Sequence, residues 1–208
     1  MSQNRSTAVM QRRVEAHDSL DDFPTPPWAT RALCEQLAER GLLGVRNTCR
    51  EPAANRGHMV KPLLEWFYEV EAADVHDYGV GYPVDDYLFG PPTMVDWTIT
   101  NPPFRLAEQF IERAIASSRV GVAMIVRAAF LEGVGRFERL FSQTPPSHVL
   151  QFTERVVMHK GRLAPEGSTA TAYAWLVWTD GSPTRLGWIG PCRKRLERAS
   201  DYVVEEAA

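Results

Sequence analysis

Asn101, Pro102, Pro103 and Phe104 follow directly on the apolar, β-prone run Val95-Asp96-Trp97-Thr98-Ile99-Thr100. Each proline lacks an N–H and fixes φ at about −65°, so a strand must end there. The residue before a proline is pushed out of the α region, which holds Asn101 extended. The result is a stiff strand end presenting an amide side chain, main-chain carbonyls and an aromatic face. An amide oxygen beside a carbonyl can accept the hydrogens of a planar amine or amide nitrogen. The Phe104 ring can stack on the plane that bears it. Asn-Pro also opens ordinary turns, so the tetrapeptide gains its meaning from what lies beside it.

The elements that position it alternate between strand and helix. Residues 21–28 are extended and proline-rich, and Thr25 is expected to cap a helix whose first turn carries Pro26 or Pro27. That helix runs over 29–40, with Ala32, Leu33, Leu37 and Ala38 on one face, and stops near Gly41. Glu51-Pro52-Ala53-Ala54-Asn55-Arg56-Gly57 then lies between a short strand and an amphipathic helix over about 59–67. Small residues in a strand–loop–helix connection let the backbone approach a nucleotide-like ligand. Asn55 stands where a first glycine is expected, and Asn tolerates the left-handed conformation better than most residues.

A second strand over 70–75 carries Asp74, about twenty residues after the loop, the interval at which a carboxylate receives ribose hydroxyls. Asp77 competes for that role. A third short strand is read over 84–88, holding Asp86, and a fourth over 94–100 delivers Asn101. A helix follows over 105–118, with Leu106, Phe110, Ile111, Ala114 and Ile115 on its apolar face. The continuous apolar run 120–126 is a buried central strand. A helix over 134–141 and strands over 149–152 and 172–178 complete the pattern. Between the last two, residues 153–171 form a long polar loop, a length that in a compact domain is often functional. Such alternation predicts an α/β fold with a mostly parallel sheet covered on both faces. Ligands in such sheets sit beyond the carboxyl ends of the strands, where the 53–57 loop, Asp74, Asp86 and Asn101 all fall.

Composition sets the outer bounds. The 208 residues are 44% hydrophobic and 24% charged, enough for one domain with a sizeable core. The net charge of −3 carries no global signature of a nucleic-acid binder, so any such contact must come from a local patch. Cys34, Cys49 and Cys192 are too scattered for a zinc site or a disulfide framework, which fits a reducing cytoplasm. No run is long and apolar enough for a membrane span, and the first residues lack a signal-peptide core. Residues 1–20 read as a flexible arm, 21–192 as the domain, and 193–208 as a basic then acidic tail.

Taken together, these residues resemble the S-adenosylmethionine-dependent DNA N6-adenine methyltransferases, particularly the small solitary ones of phages and prophages. Thr25-Pro26-Pro27 is similar to that family's N-terminal cofactor segment, and Glu51-Pro52-Ala53 with Gly57 to its cofactor loop. Asp74 matches the ribose acid, and Asn101-Pro102-Pro103-Phe104 the catalytic tetrapeptide. The runs 127–133, 152–156 and 171–175 look like the phage group as well, and the likeness covers roughly 22–189. Relatives carry glycine where this chain has Asn55.

The resemblance implies a Rossmann-like class I methyltransferase fold, with an antiparallel edge strand near the C-terminus. It further implies S-adenosyl-L-methionine as cofactor, held by Thr25, Pro26, Glu51, Pro52, Ala53, Asn55, Gly57, Asp74, Asp86 and Asn101, with no metal. The partner it implies is double-stranded DNA.

The chemistry agrees. An exocyclic adenine amine is a poor nucleophile because its lone pair is delocalised into the ring. The Asn101 side-chain carbonyl and the Pro102 main-chain carbonyl can accept both amine hydrogens and aim the lone pair at the sulfonium methyl group. Asn does this without placing a full charge in a dry pocket. Phe104 would hold the base plane. A base inside a duplex must flip out to reach such a site. Arg155, His159, Lys160 and Arg162 of the long loop are candidates for backbone contact, with Arg127 and Arg136 beside them. Two other readings compete: methylation of RNA adenine or protein glutamine, and an inactive methyltransferase-fold DNA-binding module.

Overall fold

A computed structural model describes residues 20–179, 181 and 183–202. The arm over 1–19 and the last residues, 203–208, lie outside the described residues. Seven strands among them form one sheet in the order β2-β1-β3-β4-β6-β5-β7. In chain order these are β1 (Thr48–Glu51), β2 (Glu69–Ala72), β3 (Val95–Thr100), β4 (Ser118–Arg127), β5 (His148–Phe152), β6 (Tyr173–Trp178) and β7 (Arg185–Ile189). The helices are α1 (Pro27–Glu39), α2 (Val60–Leu63), α3 (Ala107–Ser117), α4 (Val134–Arg136) and α5 (Arg193–Leu196). None of them is long and apolar enough to cross a membrane.

Strand periodicity builds two cores, one on each face of the sheet. Ala123 and Ile125 of β4 face the layer formed by α1 and α2, where Trp28, Leu33, Leu37 and Leu63 are buried. Val122, Met124 and Val126 point the other way, onto Phe110, Ile111 and Ala114 of α3 and onto Leu140. β3 and β4 pack closely because Trp97 lies opposite Gly121 in the register. A Cβ on Gly121 would meet the Trp97 ring at 2.5 Å, so glycine is required there by the close approach.

The mostly parallel sheet covered on both faces agrees with the sequence. The antiparallel strand differs in position. β6 runs antiparallel to both β4 and β5 and lies between them, inside the sheet, while β7 pairs parallel to β5 and forms the edge. All six side chains of β6 are buried, which an edge strand could not achieve. β7 was not legible as a strand, because four of its five residues stay at least partly exposed.

Three other expectations change. The strand over 84–88 reduces to one isolated bridge between Val84 and Asp74. Among its five residues only Tyr87 is buried, so no apolar face exists to hold a strand in the sheet. The helix over 59–67 keeps one regular turn, α2, followed by hydrogen-bonded turns that still bury Phe67. The helix over 134–141 widens after α4 into a π-helical turn over Phe137–Phe141.

The segment over 196–201 docks on α1. Arg31 donates to the Leu196 carbonyl at 2.9 Å and pairs with Asp201 at 2.8 Å and Glu65 at 3.0 Å. In the basic cluster, Arg193, Arg195 and Arg198 pair with Glu197, Glu35 and Glu65.

Candidate active site

β1 sits between β2 and β3, and all three run parallel, so their carboxyl ends open side by side. The chain leaves β1 for β2 on one side and then crosses to β3 on the other, which makes this the switch point of the sheet. An open cleft of about 960 Å³, partly continuous with solvent, lies there. Asn101 and Pro103, Pro52, Ala53 and Asn55, Asp74 and Asp86 all line it.

The loop after β1 is built on a buried acid. One Glu51 carboxyl oxygen accepts the Ala53 N–H at 3.0 Å and the Thr100 hydroxyl, and the other has no partner. Burial pushes its pKa up to about 8, against the opposing effect of those two hydrogen bonds, so the group is mostly protonated at neutral pH. Glu51 therefore ties β1 to β3 behind the cleft wall. Asn55 adopts φ 51, the one non-glycine residue with positive φ among the described residues. Its N–H donates to Asp74 Oδ2 at 2.9 Å, and its Nδ2 to Asp22 Oδ1 at 2.7 Å. Gly57, at φ 80, lies behind the wall with the Tyr82 ring packed on it.

Asp74 is buried at the cleft while Asp77 is exposed and caps its own turn through the Gly79 N–H. Position thus separates the two acids that sequence alone left in competition. Asp86 is exposed on the rim and accepts the Leu88 N–H. Thr25 does not cap α1: the N-cap position is Pro26, and the buried Thr25 hydroxyl, on the cleft wall, has no partner. Pro26 and Pro27 begin the helix instead, since their fixed φ suits its first turn. His58 also lines the cleft, and burial with Arg56 and Lys61 nearby lowers its pKa to about 4, leaving it neutral.

At the end of β3 the amide is oriented. Asn101 Nδ2 donates to the Phe23 carbonyl at 2.9 Å and contacts Met158 Sδ at 3.8 Å. Its Oδ1 is buried and has no partner. Pro102 is buried, and Phe104 stands just outside the cleft wall. The Phe104 ring lies between Phe23, at 5.3 Å and a 43° tilt, and the Arg127 guanidinium, 3.9 Å from the ring centre.

The basic candidates divide. Lys160 and Arg162 are exposed beside Gly161, whose N–H donates to the Asp22 carbonyl at 2.8 Å, so this part of the long loop reaches the cleft rim. Arg155 is exposed and donates to the Ala170 carbonyl at 3.2 Å. His159 points inward, with a buried, unpartnered Nε2 packed against Gly167. Arg136 is engaged within the fold by the Phe130 and Glu132 carbonyls, by Glu108 and by the Phe130 ring. Sequence reasoning missed the segment over 20–24, which supplies the cleft with Asp21 and Phe23.

Solved structures of low sequence identity share this fold. A type I restriction-modification methyltransferase subunit of Streptococcus thermophilus superposes with a TM-score of 0.62 at 11% identity, over 89% of this chain and 50% of that one. A Listeria monocytogenes protein assigned as a class I S-adenosylmethionine-dependent methyltransferase gives 0.58 at 12%, over 80% and 65%. A modification subunit assigned to a type I restriction enzyme of Vibrio vulnificus gives 0.55 at 18%, over 91% and 51%. The fold is the Rossmann-like class I methyltransferase fold. This chain spans about two thirds of the Listeria protein and half of each restriction subunit. Neither a protein-family model nor a curated protein matches its sequence.

Proposed function

We propose that this chain is an S-adenosylmethionine-dependent methyltransferase acting on the N6 amine of adenine in DNA. The observation that carries the reading is the Asn101 amide. Its nitrogen end is fixed by the Phe23 carbonyl, so its buried oxygen is the free end. A buried acceptor without a donor is costly unless a ligand supplies one. An amine hydrogen is such a donor, and the Pro102 carbonyl next in sequence offers a second acceptor.

The cleft fits the cofactor. Asp74 and Asp86 line the cleft and carry acceptor oxygens for ribose and base edges, Ala53 and Ala54 put only small side chains on its wall, and the Thr25 hydroxyl lacks a partner. The bound cofactor supplies an electrophilic methyl group. What the protein contributes is orientation: Asn101 and Pro102 hold the amine hydrogens, and Phe104 holds the base plane. On this reading the neutral acceptors Asn101 and Pro102 position the amine, so catalysis is by orientation rather than by a titrating base. A base inside a duplex would have to flip out to reach Asn101, and the exposed Arg127, Lys160, Arg162 and Arg155 are the side chains proposed to meet phosphates. The reading as an inactive module rests on Asn55 and on the mildly acidic net charge of −3; against the first, the left-handed turn that Asn55 forms supports a working loop. The N–H it aims at Asp74 does so too.

The test is methyl transfer from labelled cofactor to DNA lacking N6-methyladenine, with RNA and protein offered in parallel and products identified by nucleoside and peptide mass spectrometry. The expected product is N6-methyldeoxyadenosine, absent with Asn101→Ala. Label in RNA or in glutamine, or none at all, overturns the assignment.

A further inference from the structure

Residues 21–24 cross the cleft as an extended strap, and successive residues bind different loops. The Asp21 carboxylate accepts the Phe104 N–H at 2.8 Å. Asp22 accepts Asn55 Nδ2 at 2.7 Å and pairs with Arg56 at 3.1 Å, and its carbonyl takes the Gly161 N–H. The Phe23 carbonyl fixes the Asn101 amide, and its ring packs on Phe104. The strap thus touches the cofactor loop, the acceptor tetrapeptide and the basic loop with consecutive residues.

We infer that Asp21 is a positioning residue that sets the attitude of the Phe104 backbone, and hence of the stacking ring, relative to the Asn101 acceptor. Among the described residues the Phe104 N–H has Asp21 as its partner, 83 positions earlier in the chain. The two prolines before Phe104 carry no N–H and give no ladder beyond Thr100; Phe104 then sits inside a turn closed by the Leu106 N–H on the Pro103 carbonyl at 2.9 Å, and its own N–H is held by Asp21 from outside that turn. A charged acceptor makes that bond stronger than a neutral one. The strap's second residue anchors on Asn55, so the same segment that aims the ring is held by the cofactor loop. A glycine at position 55 could not make that anchor.

The catalytic arm of the test rests on the methyltransferase reading; a second arm does not. In the full chain, Asp21→Ala is compared with Asp21→Asn, which keeps an acceptor oxygen. Thermal unfolding of both variants checks that each is folded. With Asp21→Ala, hydrogen exchange at the Phe104 amide should accelerate about tenfold or more. The kcat for DNA methylation should fall about tenfold, with S-adenosylhomocysteine affinity and the KM for DNA within roughly twofold of wild type. Asp21→Asn should restore most of both. Unchanged Phe104 exchange in Asp21→Ala overturns the inference. So does an Asp21→Asn variant no better than Asp21→Ala, or a loss confined to cofactor affinity, which would make Asp21 a ligand. If wild type transfers no methyl group to DNA, the functional reading fails, while the exchange comparison still decides the role of Asp21.

Discussion

Glu51 and Thr100 end neighbouring strands, and the Thr100 hydroxyl donates to the Glu51 oxygen that also takes the Ala53 N–H. One buried carboxyl thereby joins the last residue of β1, the start of the loop after it and the residue before Asn101.

That carboxyl makes stability depend on pH. Its folded pKa, about 8, lies above the ordinary 4.5 because burial disfavours the charge. Between those two values the folded chain holds a proton that the unfolded chain has released, so stability falls as pH rises through this window and levels off above it. One proton limits the slope to about 1.4 kcal/mol per pH unit. Glu51→Gln keeps the accepting oxygen and removes the titration. Urea midpoints measured from pH 5 to 9 should show the variant gaining on wild type as pH rises. Parallel profiles would remove Glu51 from this role.

Asn55 separates a backbone demand from a side-chain bond. Its φ of 51 suits glycine, and its side chain ties Asp22 and accepts the Arg56 N–H at 2.8 Å. Asn55→Gly removes the ties and keeps the turn; Asn55→Ala removes both. The alanine variant should be less stable than the glycine variant by about 1 kcal/mol, the cost of a left-handed residue with a Cβ. Equal urea midpoints for the two would show that the turn relaxes.

These cases show what was legible in the sequence and why the rest was not. Period and propensity located β3, β4 and α3 because their apolar patterns are unbroken, and the prolines marked where β3 ends. The left-handed turn at Asn55 followed from local chemistry, and the spacing after the loop pointed to Asp74 with Asp77 as its competitor, which only burial separates. What escaped depends on distant partners. β7 has too few buried side chains to carry a pattern, and the interior place of β6 is a choice of neighbours. The strap over 21–24 reads as a proline-rich lead-in, because its bonds to Asn55, Asn101, Phe104 and Gly161 span 33 to 139 positions. Arg136 looked like any other arginine until Glu108 and Phe130 came beside it.

Gly121 tests the packing that carries the site. A methyl group there would lie 2.5 Å from the Trp97 ring and 2.9 Å from the Trp178 carbonyl, with Trp97 fully buried. Gly121→Ala should cost about 1–3 kcal/mol or more in urea denaturation, as overpacked cores do. Trp97→Phe makes room, so the double variant should be more stable than the sum of the two single effects implies. Strict additivity would mean the strain goes elsewhere.

Arg127 tests the proposed nucleic-acid face. It is exposed at the end of β4, and its guanidinium lies 3.9 Å from the centre of the Phe104 ring, on which the flipped base is proposed to stack. Removing it exposes the ring and deletes one positive charge at the site mouth. Each phosphate left without its neutralising cation lowers the slope of log affinity against log salt by about one and weakens binding similarly for all sequences. Arg127→Ala should therefore bind duplex DNA more weakly at low salt, with wild type and variant converging as salt rises. Arg136→Ala, at a guanidinium already taken up by Glu108 and two carbonyls, should leave that slope unchanged and lower thermal stability instead. Fluorescence anisotropy over a salt series, run on both variants, separates the two arginines, and an unchanged slope for Arg127→Ala would place the DNA elsewhere on the molecule.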